Sequence, residues 1–254
     1  MKKVAIITGA SSGIGKCFAK TLNEFGVYDE VWLIARREER LISLAEELPY
    51  TARAIALDLS KEESLNEYRV LLNEDIEVGL LINCSGFGKF TAVVDSSVEE
   101  NTNMVDLNCK ALLALCQITI PYMTKGSKII NIASVAAFQP IPYIGVYGAT
   151  KAFVLSFSRA LNRELKSRGI SVTAVCPFWT KTEFFDRAVE EKKVVKKYIA
   201  MYKPEQIVRR AYRDAKRGKD VSKFGFIARC QVLLVKLLPH KIIMDIWMKQ
   251  QDLD

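Results

Sequence analysis

Histidine is almost missing from this sequence, since His240 is the only one among 254 residues. A Ser–His–Asp hydrolase needs a histidine as its base, and zinc sites commonly use more than one, so neither chemistry is expected. The six cysteines form no Cys-x-x-Cys pair and lie mostly inside apolar runs. This pattern predicts reduced thiols in a cytosolic protein, with no disulfide framework and no metal site.

Long uncharged stretches are also scarce. The longest one, residues 129–150, is interrupted by polar residues and by Pro140 and Pro142, which argues against a membrane span. The amino terminus has two lysines followed by an apolar stretch that is too short for a secretory signal. We therefore expect a cytoplasmic protein.

The net charge of +8 is unevenly distributed along the chain. Residues 187–254 hold 17 basic and 8 acidic residues, whereas residues 1–186 hold 20 and 21. A basic surface can attract nucleic acid or an anionic membrane. Because no helix-turn-helix, zinc or RNA-binding signature accompanies it, nucleic acid is not an expected partner.

Short β-branched runs alternate with longer amphipathic stretches over the first two thirds of the chain. The predicted strands are 4–8, 31–34, 52–57, 79–83, 128–133 and 170–176, and the predicted helices are 15–25, 38–47, 60–73, 104–119 and 146–168. Apolar strands separated by helices predict an α/β fold, a doubly wound, Rossmann-like parallel sheet with helices on both faces. No linker interrupts the pattern, so we expect a single domain over residues 1–254.

A glycine cluster lies between the first predicted strand and helix. Gly9, Gly13 and Gly15 have the spacing Gly-x-x-x-Gly-x-Gly within the segment Thr8–Gly15. Glycines at this place let the backbone approach a pyrophosphate, whose charge is favoured by the helix amino terminus. The segment therefore predicts a dinucleotide site, to which Ser11, Ser12 and Ile14 also belong.

Two arginines follow the second predicted strand, where an NAD-type site often has an acidic residue. Arg36 and Arg37 would bind a 2′-phosphate, so NADP(H) is expected over NAD(H). The alternative is that they pair with Glu38 and Glu39 on a solvated helix start.

Two further segments follow predicted strands at the same edge of the sheet. Asp58 and Leu59 are expected at the adenine edge of the cofactor, and Asn83–Gly86 is expected to close over it. Turn chemistry alone would also explain these residues, because Asp, Asn, Ser and Gly favour turns.

A tyrosine and a lysine share one face at the start of the long predicted helix. Tyr147 and Lys151 are four residues apart, and Ser134 ends the fifth predicted strand at the same crevice. An ammonium near a phenol favours the phenolate and lowers a pKa that is ordinarily about 10. Tyr147 would then exchange a proton with a carbonyl or alcohol oxygen that Ser134 holds.

Together these segments resemble the short-chain dehydrogenase/reductase family from residue 3 to about 185. The resemblance rests on Thr8–Gly15, Asp58, Asn83–Gly86, Asn108, Ser134, Tyr147, Lys151, Cys176-Pro177 and Thr182. It implies a catalytic tetrad of Asn108, Ser134, Tyr147 and Lys151, in which Asn108 holds a water of a proton relay.

The resemblance also implies the set of residues that contact the cofactor, with Thr182 at the nicotinamide carboxamide. These residues are Gly9, Ser11, Ser12, Gly13, Ile14, Gly15, Arg36, Arg37, Asp58, Leu59, Asn83, Ser85, Gly86, Tyr147, Lys151, Pro177, Thr180 and Thr182. The family's usual Asn-Asn-Ala-Gly is Asn83–Gly86 with Cys84 and Ser85 inside it, and its usual Pro-Gly is Pro177-Phe178 here.

In such enzymes the stretch after the sixth strand forms a lid over the substrate. Phe87 and Phe90 are expected near the other wall of the pocket. The residues of the stretch 178–202 that this interpretation uses are Phe178, Trp179, Phe184, Phe185 and Tyr198, with Lys192, Lys193, Lys196 and Lys197 beside them. An apolar pocket for a bulky ketone or alcohol, such as a steroid or an acyl chain, is one interpretation. Packing of the lid onto the core is the other.

The expected function is an NADP(H)-dependent oxidoreductase that interconverts a carbonyl and a secondary alcohol. The alternative is a non-catalytic NADP(H)-binding sensor. A homodimer or homotetramer is expected from the fold. For the basic, amphipathic stretch 225–249, contact with a membrane, cover of the active site and a subunit interface all remain open.

Overall fold

The computed structural model describes residues 1–188 and 194–253. Lys192 and Lys193, which the sequence placed beside the aromatic lid, lie outside the described residues. Seven parallel strands form one sheet in the order β3-β2-β1-β4-β5-β6-β7. The strands are β1 Lys2–Thr8, β2 Glu30–Ala35, β3 Ala52–Ala56, β4 Ile76–Asn83, β5 Lys128–Ile132, β6 Ser171–Val175 and β7 Val221–Ser222.

Helices follow most of the strands and cover both faces of the sheet. They are α1 Gly13–Lys20, α2 Glu38–Glu47, α3 Glu62–Leu71, α4 Val98–Val105, α5 Leu112–Thr119, α6 Gly145–Glu164, α7 Phe184–Ala188, α8 Pro204–Lys216, α9 Phe226–Leu237 and α10 His240–Gln251. The doubly wound parallel fold predicted from the sequence is therefore confirmed.

The strands are apolar throughout because each face of the sheet packs against its own layer of helices. In β1, Val4 and Ile6 join one buried cluster with residues of α3, α5 and α6, whereas Ala5 and Ile7 join another with residues of α1, α2 and α8. Successive side chains of a strand point to opposite faces, so a strand buried on both sides cannot alternate apolar and polar residues.

Three differences from the predicted elements have local causes. The first helix ends at Lys20, where the hydroxyl of Thr21 donates to the Cys17 carbonyl and a 3₁₀ turn, Leu22–Glu24, follows. The helix predicted over 104–119 begins earlier, at Val98, and contains a π-helical turn, Asp106–Ala111. The two-residue β7 is too short to produce a sequence pattern, although it extends the sheet beside β6.

Within the described residues, one continuous helical stretch, Val98–Tyr122, is long and apolar enough to cross a membrane by length and composition. Its apolar window is 44% buried, and Leu112 and Leu115 belong to the core beside the sheet. A core helix passes the same test, so this stretch is weak evidence for a membrane span.

Candidate active site

A cavity of about 820 Å³ opens at the carboxyl edge of the sheet. The ends of β1, β2, β5 and β6 converge there, which brings together residues far apart in the sequence. All but two of the predicted site residues line this cavity. The two that do not are Asn83 and Asn108.

The glycine turn forms one end of the cavity and is held by a buried threonine. The hydroxyl of Thr8 accepts hydrogen bonds from the backbone N–H groups of Cys84 and Ser85, at 3.0 and 3.1 Å. Gly9 has a φ of +66°, and a Cβ there would lie 2.8 Å from the backbone of Cys84. Only glycine therefore lets the turn after β1 and the loop after β4 approach this closely.

The amino terminus of α1 faces the same end of the cavity. Ser12 occupies its N-cap position without a side-chain hydrogen bond to the helix, and no acidic residue lies in the first turn. The first N–H groups of a helix lack partners within it and carry partial positive charge. The cavity thus has a place for an anionic group such as a pyrophosphate, and the residues present fit a dinucleotide.

Arg37 links the glycine turn to the loop after β6. Its guanidinium donates to the hydroxyl of Ser11 at 3.2 and 3.3 Å and pairs with Glu183 at 3.1 Å. Arg40 also pairs with Glu183, at 2.8 Å. Hydrogen bonding from Arg40 is the largest effect that lowers the pKa of Glu183, with Arg37 contributing as well.

The alternative expectation for Arg37 is pairing with Glu38 and Glu39, whereas its ion pair in the structure is with Glu183. The sequence interpretation missed Glu183 and Arg40. Arg40 could have been predicted, because it lies three residues beyond Arg37, the N-cap of α2, and therefore on the same side of the helix. Glu183 could not, because no local pattern connects it with α2.

Asn83, one of the predicted cofactor contacts, does not belong to the cavity lining. Its amide donates to the side-chain oxygen of Asn131 at 2.9 Å and to the sulfur of Cys116 at 3.3 Å, inside the core. A residue at the end of a strand points to one face or the other, and this one points into the helix layer. Asp58 does line the cavity, but one carboxylate oxygen accepts from the backbone and hydroxyl of Ser60, as the turn interpretation expected.

Tyr147 and Ser134 face each other in the cavity. Ser134 follows β5 and caps the 3₁₀ turn Val135–Phe138 by accepting from the N–H of Ala136 at 3.1 Å. Both side chains line the cavity, and the Ser134 hydroxyl lies near enough to the phenol of Tyr147 to act on its pKa. Two hydroxyls at one place can bind the same carbonyl oxygen.

Lys151 lies one helical turn beyond Tyr147 and is buried. Its ammonium is 5.7 Å from the centroid of the Tyr147 ring and donates to the carbonyl oxygen of Ile132 at 2.8 Å. Burial lowers the pKa of Lys151 to about 8, because the charged form loses its hydration.

The pKa of Tyr147 differs from the sequence expectation. Burial raises the pKa of Tyr147 to about 12, and the nearby hydroxyl of Ser134 opposes this rise only in part. The expected lowering by Lys151 is therefore wrong for the chain as described, since loss of hydration outweighs an ammonium that is directed at Ile132.

Asn108 lies in the π-helical turn behind the loop after β4, outside the cavity lining. Its side-chain oxygen accepts from the N–H of Phe87 at 3.0 Å, and its amide donates to the Phe87 carbonyl at 2.9 Å and the Thr150 hydroxyl at 3.0 Å. It thereby ties the loop at Gly86 to α6, and a Cβ at Gly86 would lie 2.8 Å from its oxygen.

Aromatic side chains cover the reacting end of the cavity. The Phe184 ring is 5.5 Å from the ring of Tyr147, and Phe90 is 6.1 Å from both Tyr147 and Trp179. These rings pack the loop after β6 onto the core and also line the cavity. The rings therefore serve both as packing of the lid onto the core and as wall of the cavity, so the two interpretations of the aromatic residues do not exclude each other.

The last two helices complete the wall of the cavity. Residues of α9 and α10 that line it include Phe226, Leu234, Ile246 and Trp247. Trp247 donates to the Pro142 carbonyl at 3.1 Å, which anchors α10 beside the entrance to α6. His240 begins α10 and is exposed, as expected. Among the described residues, no group of three His, Cys, Asp or Glu side chains could hold a metal ion.

Comparison with known proteins identifies the family. Residues 3–193 match the short chain dehydrogenase family. The chain belongs to that family. It is therefore an oxidoreductase of the class that interconverts alcohols and carbonyl groups.

Several characterised and uncharacterised family members are similar in sequence. An oxidoreductase of Staphylococcus epidermidis is 35% identical over 179 residues, which cover 69% of this chain and 77% of the relative. A very-long-chain 3-oxoacyl-CoA reductase of Anas platyrhynchos is 33% identical over 70% of this chain and 60% of its own length. The 17-beta-hydroxysteroid dehydrogenase type 3 of Mus musculus is 33% identical over 72% of this chain and 61% of its own length.

Solved structures of the family also superimpose well. A short-chain dehydrogenase of Sphingobium yanoikuyae with NADPH has a TM-score of 0.78 and 31% identity, covering 93% of this chain and 94% of that one. A bulky-bulky ketone specific alcohol dehydrogenase of Comamonas testosteroni has a TM-score of 0.74 and 30% identity, covering 93% and 92%. A 3-ketoacyl-(acyl-carrier-protein) reductase of Brucella melitensis, with a TM-score of 0.74, 27% identity and 86% and 94% coverage, was solved with NADH.

Proposed function

We propose that this protein is an NADP(H)-dependent carbonyl reductase or alcohol dehydrogenase for bulky apolar substrates. The observation that carries the proposal is that one cavity is lined by the glycine turn and Arg37 at one end and by Tyr147 and Ser134 at the other. A coenzyme bound along this cavity would be held at its phosphates by the glycine turn and the amino terminus of α1, and its reactive ring would then be near the two hydroxyls.

In the proposed mechanism, Ser134 and Tyr147 donate hydrogen bonds to the substrate carbonyl oxygen and polarise it. The nicotinamide ring, when bound, supplies the hydride to the carbonyl carbon or accepts it from the alcohol. Tyr147 then gives its proton to the oxygen in reduction and takes it back in oxidation. Lys151 holds a positive charge near the ring while it is protonated.

The raised pKa of Tyr147 favours reduction in this proposal. A phenol with a pKa of about 12 keeps its proton at neutral pH and is ready to donate it. Oxidation needs the phenolate, which is scarce under the same conditions. The Tyr147–Ser134 pair, the adjacent Lys151 and the coenzyme-sized cavity together support an enzyme rather than a sensor that only binds the coenzyme.

A preference for NADP(H) is the next part of the proposal. The end of β2 and the start of α2 carry three basic residues, Arg36, Arg37 and Arg40. The position directly after β2, where an NAD-type site often has an acid that would repel a 2′-phosphate, is basic here. The Sphingobium yanoikuyae relative binds NADPH, which supports this choice, whereas the Brucella melitensis relative binds NADH.

Replacing Arg37 tests the coenzyme preference. In the Arg37→Ala variant we expect the dissociation constant of NADPH to rise about tenfold or more, because a charge-assisted phosphate contact is lost, while that of NADH changes little. Coenzyme fluorescence measures both constants, and Arg53→Ala, a substitution on β3, is the control. Equal weakening of both coenzymes in Arg37→Ala would contradict the preference.

The proposed substrate is large and apolar. Phe90, Trp179 and Phe184 surround the phenol, and apolar residues of α9 and α10 extend this wall toward the opening. Relatives that act on bulky ketones, steroids or 3-oxoacyl chains support this class.

A screen of coenzyme consumption tests the substrate class. NADPH absorbance is followed with steroid ketones, 3-oxoacyl thioesters, bulky aryl ketones and small aldehydes. The proposal predicts the highest kcat/KM for a bulky apolar ketone. Turnover confined to small polar aldehydes would contradict it.

Assembly into a homo-oligomer also stays a proposal. Phe153 on α6 is partly exposed and stacks with Phe157 at 5.9 Å, and Val105 on the neighbouring helix is exposed as well. An apolar surface of this kind favours contact with a second subunit. Light scattering at several protein concentrations checks it, and a monomer throughout would contradict it.

A further inference from the structure

Large apolar side chains are exposed on the last two helices. Phe226 is 80% exposed, Leu237 is 72% exposed and Leu233 is 59% exposed. Apolar surface gathered in one place on a soluble protein commonly marks an interaction site. We call this surface the C-terminal apolar face, and it comprises Phe226, Leu233, Leu234, Leu237, Ile242 and Ile246.

These exposed residues are not needed to pack the helices. The buried side of α9 is formed by Ala228, Val232 and Val235, and the buried side of α10 by Ile243 and Trp247. A surface helix ordinarily has polar residues opposite its buried side. Here Leu233, Leu237 and Ile242 are exposed outside the cavity lining instead. The exposed side chains of Phe226, Leu234 and Ile246 also line the cavity.

Basic side chains border the C-terminal apolar face. Arg229 lies between Phe226 and Leu233 along the helix, and Lys236 follows Leu233 by three residues, so both lie beside the apolar stripe. Residues 226–251 hold four basic residues and one acidic residue. The apolar face thus has a positively charged border.

The charge decides which partner fits. In a two-fold dimer the same patch meets its own copy, so two positively charged borders would be brought together. An anionic lipid surface instead takes the apolar side chains among its acyl chains and attracts the basic border. We propose that the C-terminal apolar face binds the surface of an anionic membrane.

The position of the cavity gives this contact a consequence. Phe226, Leu234 and Ile246 belong to the C-terminal apolar face and also line the cavity that contains Tyr147. The opening of the cavity therefore lies against the lipid, and an apolar substrate reaches the phenol without crossing water. This consequence rests on the proposed function, whereas the membrane contact does not.

Cosedimentation with vesicles tests the contact, using the full chain without coenzyme. The vesicles consist of phosphatidylcholine alone or of phosphatidylcholine with phosphatidylglycerol. The apolar variant is Leu233→Ser with Leu237→Ser, since neither residue lines the cavity. Its control is Val70→Ser with Val94→Ser, which removes two side chains that are 81% and 91% exposed elsewhere.

We expect the wild type to bind the anionic vesicles and the apolar variant to bind them roughly tenfold more weakly. A charge variant, Arg229→Gln with Lys236→Gln, should lose about fivefold for each charge removed. The control variant should bind like the wild type. Equal binding to both kinds of vesicle would overturn the anionic preference.

Two further results would overturn the proposal. One is wild-type protein that stays in the supernatant with anionic vesicles. The other is a dimer, seen by light scattering, that the apolar variant dissociates while no vesicle binding is found, because the face would then join two copies.

The outcome is separable from that of the proposed function. Reduction of a water-soluble ketone should be unchanged in the apolar and charge variants, since neither alters the cavity lining. Vesicle binding without any ketone reduction would refute the proposed function and leave the membrane contact standing. Ketone reduction without vesicle binding would refute the membrane contact and leave the proposed function standing.

Discussion

Tyr147 has a half-buried phenol whose proton affinity is set by its surroundings. The Tyr–Lys spacing and the serine at the end of β5 are local features, and the sequence predicts both of them. The rings of Phe90 and Phe184, which help to bury the phenol, come from loops far away in the chain. The direction of the pKa shift therefore could not be predicted from the spacing alone.

Lys151 gives a prediction for the pH dependence of reduction. Because its pKa is lowered to about 8, its positive charge is present below that pH and is lost above it, while Tyr147 stays protonated. We expect kcat/KM for ketone reduction to fall as the pH passes through about 8.

The matched variant is Lys151→Arg, since arginine keeps its charge over the whole range. Whatever its absolute rate, its pH profile should lack the decline seen for the wild type. A wild-type profile that stays flat well above pH 8, or an identical decline in the arginine variant, would contradict the assignment.

Glu183 gives a prediction for coenzyme affinity. Its carboxylate occupies Arg37 and Arg40, the groups proposed to hold a 2′-phosphate, and it would repel that phosphate. The Glu183→Gln variant should bind NADPH about three- to tenfold more tightly, while its affinity for NADH stays unchanged.

Fluorescence titration with both coenzymes measures this effect. Glu47→Gln is the control, because Glu47 pairs with Lys20 at 2.6 Å on the protein surface. Weaker binding of NADPH in Glu183→Gln would show that Glu183 helps to hold the coenzyme rather than competing with it.

At the scale of elements, the turn between β1 and α1 is the part most closely specified by its residues. Its position after the first strand and its glycine spacing were predicted from the sequence. Its fixation by Thr8 and Cys84 was not, because the loop after β4 is 76 residues away from Thr8. The same holds for α9 and α10, whose place beside the cavity depends on contacts such as Trp247 with Pro142.

Gly9→Ala tests the close approach of this turn. A side chain at a φ of +66° is strained and would meet the Cys84 backbone, so we expect the free energy of unfolding to fall by about 1–3 kcal/mol. NADPH binding should weaken as well, because the turn must shift.

Gly145→Ala is the control for this substitution. Gly145 begins α6, and a Cβ there would have no neighbour within 4 Å. Its free energy of unfolding should stay the same or rise by up to about 1 kcal/mol. Urea denaturation of both variants measures the difference, and equal stabilities would contradict the account of the turn.

At the scale of the whole molecule, the parallel sheet brings the candidate site residues together at its carboxyl edge. The alternation of strands and helices was enough to predict a parallel sheet and hence the crevice at its carboxyl end. Asn83 shows the limit of that argument, because the end of a strand does not by itself fix which face its side chain takes. The seventh strand extends the sheet beyond the repeating pattern, and the last two helices add a wall to the cavity.

The most direct test of the account is ketone reduction by the Tyr147→Phe variant. With a bulky ketone and NADPH, we expect kcat/KM to fall by about a hundredfold or more, while the dissociation constant of NADPH remains unchanged. Tyr122→Phe, which removes a phenol that donates to the Leu72 carbonyl away from the cavity, should reduce the ketone like the wild type. Near wild-type turnover in Tyr147→Phe would contradict the claim that this phenol delivers the proton.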